Sequence, residues 1–222
     1  MTDTSVADAE RGAAVYNTWK IHIYDWWVLG FVNSWAWGCP TNSHLLPLMK
    51  SNIRSNHLDI GVGTGYYLEH SAIPTSTRLT LCDLSPKALQ MAKSRAGRPD
   101  AVELLCDITK PLPTKTQFDS ISMFFLLHCL PGPLEQKTVV FDHIKHNLTP
   151  DGVITGATVL GKGVKDTFIG HYVRRFCEND GIMDNRTDDA ATFIESMRKN
   201  FDHVEVDVVG VVLVFKLMRP RV

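Results

Sequence analysis

Several features that would settle a protein's class are missing from this chain. Charge of one sign is the first: 23 Lys and Arg stand against 24 Asp and Glu, a formal net charge of -1, which gives no general attraction to nucleic acid or to anionic lipid. The second is cysteine spacing. Cys39, Cys82, Cys106, Cys129 and Cys177 are odd in number and form no Cys-x-x-Cys pair or zinc-ligand pattern, so reduced thiols in a cytoplasmic protein, with no metal site, are expected. The third is a targeting signal, because "MTDTSVADAERGAA" has neither a basic n-region nor an apolar h-region. Internal repeats and low-complexity tracts are also absent. The only stretch that could be read as a membrane span, Ile21 to Gly38, carries His22, Asp25, Asn33 and Ser34. An aspartate near the centre of such a helix costs roughly 2.5–3.5 kcal/mol on insertion scales, and no run of leucines offsets it. No span is expected.

What is present fits one large α/β domain: 222 residues, 44% hydrophobic and 21% charged, enough to bury a sizeable core. All five tryptophans fall between Trp19 and Trp37, in a segment that reads as helical. From residue 55 short apolar runs alternate with amphipathic ones, the pattern of a parallel sheet with helices on both faces. "NHLDI", "TRLTLCD", "AVELLCD", "FDSISMFFLL" and "GVITGATVL" read as strands, and "TPDG" as a turn before the last of these. Between them Ser85, Pro86 and Gly97 mark the cap, first position and end of one helix. Leu134, Phe141, Ile144 and Leu148 form the apolar stripe of another. Residues 161–189 break the pattern as an irregular insertion, and "HVEVDVVG" with "VVLVFKLM" closes the chain as an antiparallel hairpin around Gly210.

Chemistry concentrates at the ends of three successive strands. "DIGVGTG", Asp59 to Gly65, is a glycine turn after a buried strand, where backbone N–H groups can approach a ligand unobstructed by Cβ. Its Gly-x-Gly-x-Gly spacing differs from the Gly-x-Gly-x-x-Gly of dinucleotide-binding folds. Asp83 ends the next strand, where a carboxylate can accept hydrogen bonds from a ribose diol. Asp107, in "LLCDIT", ends the third, where it could accept from an adenine amine while Ile108 packs on the ring. Ligands of open α/β sheets sit where such ends converge.

Over residues 55–218 these motifs resemble the class I S-adenosylmethionine-dependent methyltransferases. The resemblance implies a Rossmann-like, seven-stranded, mostly parallel sheet with a terminal antiparallel hairpin, helices on both faces and an N-terminal helical cap. It implies S-adenosyl-L-methionine as cofactor, S-adenosyl-L-homocysteine as product, and a small-molecule acceptor. Asp59, Gly61, Gly63 and Gly65 would approach the methionine part, Asp83 and Leu84 the ribose, Asp107 and Ile108 the adenine. Met123, Phe124 and His128, in and after "FDSISMFFLL", would lie beside the transferable methyl group. The upstream portion, with Tyr24 and the Asn33-to-Trp37 spacing, resembles a subgroup of small bacterial and fungal methyltransferases that act on small molecules. One domain over 1–222 follows, comprising a helical cap (12–55), a cofactor core (55–160), a substrate cap (161–189) and the last helix with the hairpin (190–222).

Methyl transfer from a sulfonium needs chiefly positioning and exclusion of water. His128 is the expected base if the acceptor must lose a proton, because a histidine titrates near neutrality. His171 and Tyr172 in the insertion are the next candidates for catalysis and acceptor binding. Tyr24 and Trp37 are expected in the wall of the acceptor pocket, Tyr24 touching the cofactor as well, while Arg174 and Arg175 could bind an acidic group of the substrate but read first as an exposed helix face. The rival readings are a non-methylating member of the same fold, such as a cyclase or binding scaffold, a nucleic-acid methyltransferase and a nicotinamide-dependent oxidoreductase. The last is disfavoured by the glycine spacing. The second, the nucleic-acid methyltransferase, would need an Asn/Asp-Pro-Pro-aromatic motif where "MFFLLHCLPG" stands, and more cations than Lys162, Lys165, Arg174 and Arg175 supply.

Overall fold

The computed structural model describes residues 32–222. Tyr24, Trp19, Trp26 and Trp27 lie outside the described residues. After a π-helical turn at Thr41–Leu45 come α1 (Leu46–Asn52), β1 (Asn56–Ile60), α2 (Tyr66–His70), β2 (Arg78–Asp83), α3 (Pro86–Arg95) and β3 (Val102–Leu105). They are followed by β4 (Phe118–Phe124), α4 (Leu134–Lys145), β5 (Leu148–Val159), α5 (Phe168–Asn179), α6 (Ala190–Asn200), β6 (Phe201–Val209) and β7 (Val212–Pro220). Among the described residues no helix is long and apolar enough to cross a membrane.

The strands form a single seven-stranded sheet in the order β3-β2-β1-β4-β5-β7-β6. β1 to β5 run parallel, and β7 runs antiparallel to both of its neighbours. β1 is buried along its whole length, as a central parallel strand covered on both faces must be. Because successive strand residues face opposite sides, the core splits into two. One side gathers Ile121, Met123, Phe215 and Phe201 under Phe141 of α4 and Phe193 of α6. The other gathers Leu81, Phe124 and Val159 under Leu45, Met49, Leu68 and Leu89. The helices start where side chains satisfy their first N–H groups: Ser85 Oγ accepts from Ala88 N at 3.3 Å, Thr167 Oγ1 from Gly170 N at 2.9 Å, and Asp189 Oδ1 from Thr192 N at 2.9 Å.

Two expectations are corrected. "TPDG" does not turn the chain into the fifth strand but belongs to it: Phe118 pairs with Leu148 while Ser120 pairs with Val153, so residues 149–152 bulge from a strand that starts earlier. Asn147 replaces the expected turn as anchor, its Nδ2 donating to the carbonyls of Thr114 and Thr116, both at 2.9 Å. Nor are all the thiols free. Cys82 at the end of β2 and Cys106 just past β3 form a disulfide, leaving Cys39, Cys129 and Cys177 unpaired. Parallel pairing of β2 with β3 puts Asp83 opposite Leu105, which brings two cysteines of unremarkable sequence spacing side by side.

Candidate active site

The order of the sheet reverses between β1 and β4, and ligands of open α/β sheets bind outside the carboxyl ends of the strands at such a switch point. Asp59 stands on β1 next to that crevice, largely buried, and its Oδ1 accepts a short hydrogen bond from Ser122 Oγ of β4. The Ser122 hydroxyl also lies 3.0 Å from His57 Nε2, and His57 Nδ1 lies 2.8 Å from Ser120 Oγ. The network is closed to water. Burial pushes the Asp59 carboxyl up to about 7, against the Ser122 hydrogen bond and with help from the nearby Asp83 charge. Burial likewise pushes His57 down to about 3, against its bond with Ser120.

The glycine turn leads from Asp59 into α2. Gly65 caps that helix with φ 77°, a left-handed conformation, and a Cβ there would lie 2.6 Å from the Ala92 Cα of α3. Only glycine meets both demands. Asp83 ties the turn to β2: its Oδ2 accepts from Gly63 N at 3.3 Å and its Oδ1 from Ser85 N at 2.9 Å. Burial raises its pKa, opposed by these backbone donors. Leu84 beside it is half exposed over the crevice edge. Asp107 follows β3 in a turn held by Thr109, whose N and Oγ1 donate to Oδ1 at 3.0 and 2.6 Å, with Lys110 Nζ 3.5 Å from Oδ2. Partial burial tends to raise its pKa, but these partners outweigh it and hold the group below the usual carboxylate range. The disulfide joins the residues immediately before Asp83 and Asp107.

Four residues named from the sequence, Ile108, Met123, Phe124 and His128, are buried. Ile108 packs into the core with Leu112, Leu58 and Met123, and Met123 is itself fully enclosed there. Both support the crevice from below. Phe124 is buried on the other face, stacked on Tyr67 of α2 at 4.8 Å. His128 occupies a short helical turn, Leu127–Cys129, and is buried. Its Nδ1 accepts from Val159 N at 3.3 Å and lies 3.3 Å from Thr158 Oγ1, so the neutral ring carries its proton on Nε2. Burial, with smaller contributions from the Lys137 and Arg174 charges, pushes its pKa down to about 3. The near-neutral titration expected of it is thereby lost.

The segment before α1 closes over this end of the sheet. Trp37 is buried, and its carbonyl accepts from Val211 N at 2.9 Å beside Gly210 of the terminal hairpin. Trp35 is 63% exposed. Asn33 Nδ2 donates to Thr41 Oγ1 at 2.9 Å in the buried layer next to these rings. α5 packs on the same segment, with Thr167 Oγ1 donating to the carbonyls of Trp35 and Ala36 at 3.1 and 3.0 Å. His171 and Tyr172 lie on the exposed face of α5, Tyr172 in an edge contact with Phe168 at 5.2 Å. The inner face presents Gly170 and Arg174. Arg174 is therefore not on an exposed face as expected, because a half-buried Asp166 partner and the Trp37 ring draw it inward, whereas Arg175 is exposed.

Sequence reasoning overlooked Ser122, Tyr67 and Phe125. Phe125 leaves β4 with φ 58°, uncommon for a bulky residue and costing on the order of 1–3 kcal/mol, with its ring 5.7 Å from His128. No local pattern marked them; only the pairing of β1 with β4 brings Ser122 to Asp59. Among the described residues no cluster of His, Cys, Asp and Glu could hold a metal ion.

A sheet with one reversed last strand and acidic residues at the ends of β1, β2 and β3 is the architecture of a methyltransferase domain. Residues 58–154 match the family model described as "Methyltransferase domain". The chain is 65% identical to the Physcion biosynthesis cluster O-methyltransferase of Aspergillus chevalieri, covering 96% of both chains. It is 52% identical to the N-methyltransferase vrtF of Penicillium aethiopicum, covering 100% of this chain and 96% of that one. In fold it is similar to the N-methyltransferase NodS from Bradyrhizobium japonicum WM9 solved with S-adenosyl-l-homocysteine, with a TM-score of 0.56 and 20% identity over 78% of this chain and 82% of that one. The chain belongs to the methyltransferase family and is an enzyme of that class.

Proposed function

We propose that this enzyme moves the methyl group of S-adenosyl-L-methionine to an oxygen or nitrogen of a small secondary metabolite. The similarity that carries this reading is the 65% identity, over 96% of both chains, to an O-methyltransferase of a biosynthesis cluster; the name of the second relative extends the acceptor atoms to nitrogen. The donor set fits the cofactor chemically. Asp83, with acceptor oxygens at the end of β2, suits a ribose diol; Asp107 suits an adenine amine; Asp59 suits the ammonium of the methionine part; and exposed Leu84 offers an apolar edge to the base. When bound, S-adenosyl-L-methionine supplies a methyl group already activated on sulfur.

The protein's part is to orient and to dry the site. Ser122 fixes the Asp59 carboxyl, Asp83 fixes Gly63, and the buried Trp37 and Phe124 exclude water from the crevice end of β4. His128 offers its Nε2–H as a donor that helps hold an acceptor oxygen; with a pKa near 3 it takes up no proton at neutral pH. For a hydroxyl acceptor the overall balance is an ether, S-adenosyl-L-homocysteine and one proton released to solvent. His171, Tyr172 and Tyr24 stay as proposed contacts for the distal part of the acceptor. Calorimetry tests the reading directly: S-adenosyl-L-homocysteine should bind at micromolar concentration, and Asp83→Ala should weaken it at least tenfold. No heat with either the cofactor or its product would sink the proposal.

A further inference from the structure

Arg174 is a buried charged group at this end of the sheet whose hydrogen bonding is incomplete among the described residues. Its Nε and Nη2 donate to Asp166 Oδ2 and Oδ1 at 2.9 and 2.6 Å. Its Nη1 is buried and donates to nothing. The guanidinium carbon lies 5.5 Å from the centre of the Trp37 ring, a cation–π arrangement, and the residue as a whole is 8% exposed. Buried donors without acceptors are rare in folded proteins because nothing repays their lost hydration. A role confined to anchoring α5 would be met by the two bonds to Asp166. The guanidinium as a whole lies over the Trp37 ring, and its charge is felt at His128. Trp37 in turn shares a core cluster with Val62 of the glycine turn and Phe124 at the end of β4.

We propose that Arg174, stacked on Trp37, is an acceptor-recognition residue whose Nη1 donates to a carbonyl oxygen carried by an aromatic acceptor. The inference rests on the methyl-transfer reading above and deepens it by naming the substrate class. Nη1 carries only donors, so its partner must offer lone pairs, as a carbonyl does. Asp166 already balances the guanidinium charge, and a carboxylate ligand would put a second anion beside it, so a neutral oxygen is the matching group. The apolar, aromatic surroundings of Trp37, Phe124 and Met183 suit a flat ring system. Arg174 thus sets which acceptors are held and takes no part in bond making.

The test compares two probes that differ only in a carbonyl group against a methylene, 6-acetyl-2-naphthol and 6-ethyl-2-naphthol, for binding to the full chain saturated with S-adenosyl-L-homocysteine. Wild type should bind the acetyl compound at least tenfold more tightly than the ethyl compound. Arg174→Lys, which keeps a charge beside Asp166, and Arg174→Met should bring the two within about twofold of each other. Their affinity for S-adenosyl-L-homocysteine and their melting temperatures serve as the structural control, and a lowered melting temperature with an unchanged probe ratio would overturn the assignment. So would a wild-type ratio below threefold, or binding of neither probe while S-adenosyl-L-homocysteine binds normally. Failure of S-adenosyl-L-homocysteine itself to bind would instead strike the methyl-transfer reading on which the inference stands.

Discussion

Asp59 and His57 are two buried titratable groups on one strand, shifted in opposite directions. The carboxyl is raised from 3.8 to about 7, so the folded state holds a proton that the unfolded state has lost. Its contribution to stability is full below about pH 4 and disappears as pH rises through 7. The imidazole is lowered from 6.5 to about 3; its contribution is present above 6.5 and is lost as pH falls through 3. Between about pH 4 and 6.5 the two slopes oppose and cancel. Asp59→Asn removes one slope and leaves the other, so its stability relative to wild type should climb with pH at about 1.4 kcal/mol per unit, or about 2 kcal/mol from pH 5 to 6.5. Urea midpoints measured across that range check this. A difference that stays flat would mean that Asp59 ionises at its ordinary pKa in the folded protein.

Among elements, the return of the chain from α5 to α6 hangs on one buried ion pair. Lys137 of α4 lies 2.9 Å from Asp188, both side chains fully enclosed, and also donates to the Asp184 carbonyl. The Asp188 carbonyl then accepts from Gly161 N and Lys162 N at 2.9 and 3.0 Å, and Asp184 N donates to the His128 carbonyl at 2.9 Å. Both ends of the insertion are thus fastened at one point. Lys137→Met strands a buried carboxylate and should cost about 3–5 kcal/mol in urea unfolding, with much of the loss recovered by adding Asp188→Leu. The link between β2 and β3 makes a simpler prediction. Denatured, unreduced protein should show three titratable thiols, Cys39, Cys129 and Cys177. Reduction should lower stability by about 3 kcal/mol for cysteines 24 residues apart. Five thiols before reduction would remove the cross-link from the account.

At the scale of the whole molecule, the sheet and the carboxylates at its strand ends were legible because their signals are local. A buried strand, a glycine turn and a carboxylate at each strand end can be read within ten residues of one another, and β-branched runs around Gly210 announce the reversed hairpin. The end covered by α5 was not legible, because its signals depend on which way an element faces. In α5 the apolar residues Phe168, Tyr172 and Phe176 are exposed while glycine and arginine point inward. Periodicity finds the stripe, but the usual inference that the apolar side faces the core then turns Arg174 outward. His128 misled for a related reason: its environment comes from Thr158, Val159, Lys137 and Arg174, none of them near it in sequence. The disulfide required the register of two parallel strands.

The position of β7 has a consequence for how the molecule is made. β6 precedes it in the chain, yet β7 lies between β5 and β6 and pairs with both. A growing chain therefore completes the strands that carry Asp59 and Asp83 and the one that leads to Asp107 while the flank of β5 is still an open row of N–H and carbonyl groups, and β6 has no sheet to join. Such an edge invites pairing with other chains. The part of the molecule that matches the methyltransferase family model, residues 58–154, is thus the part that waits, unsealed, for the last strand to arrive.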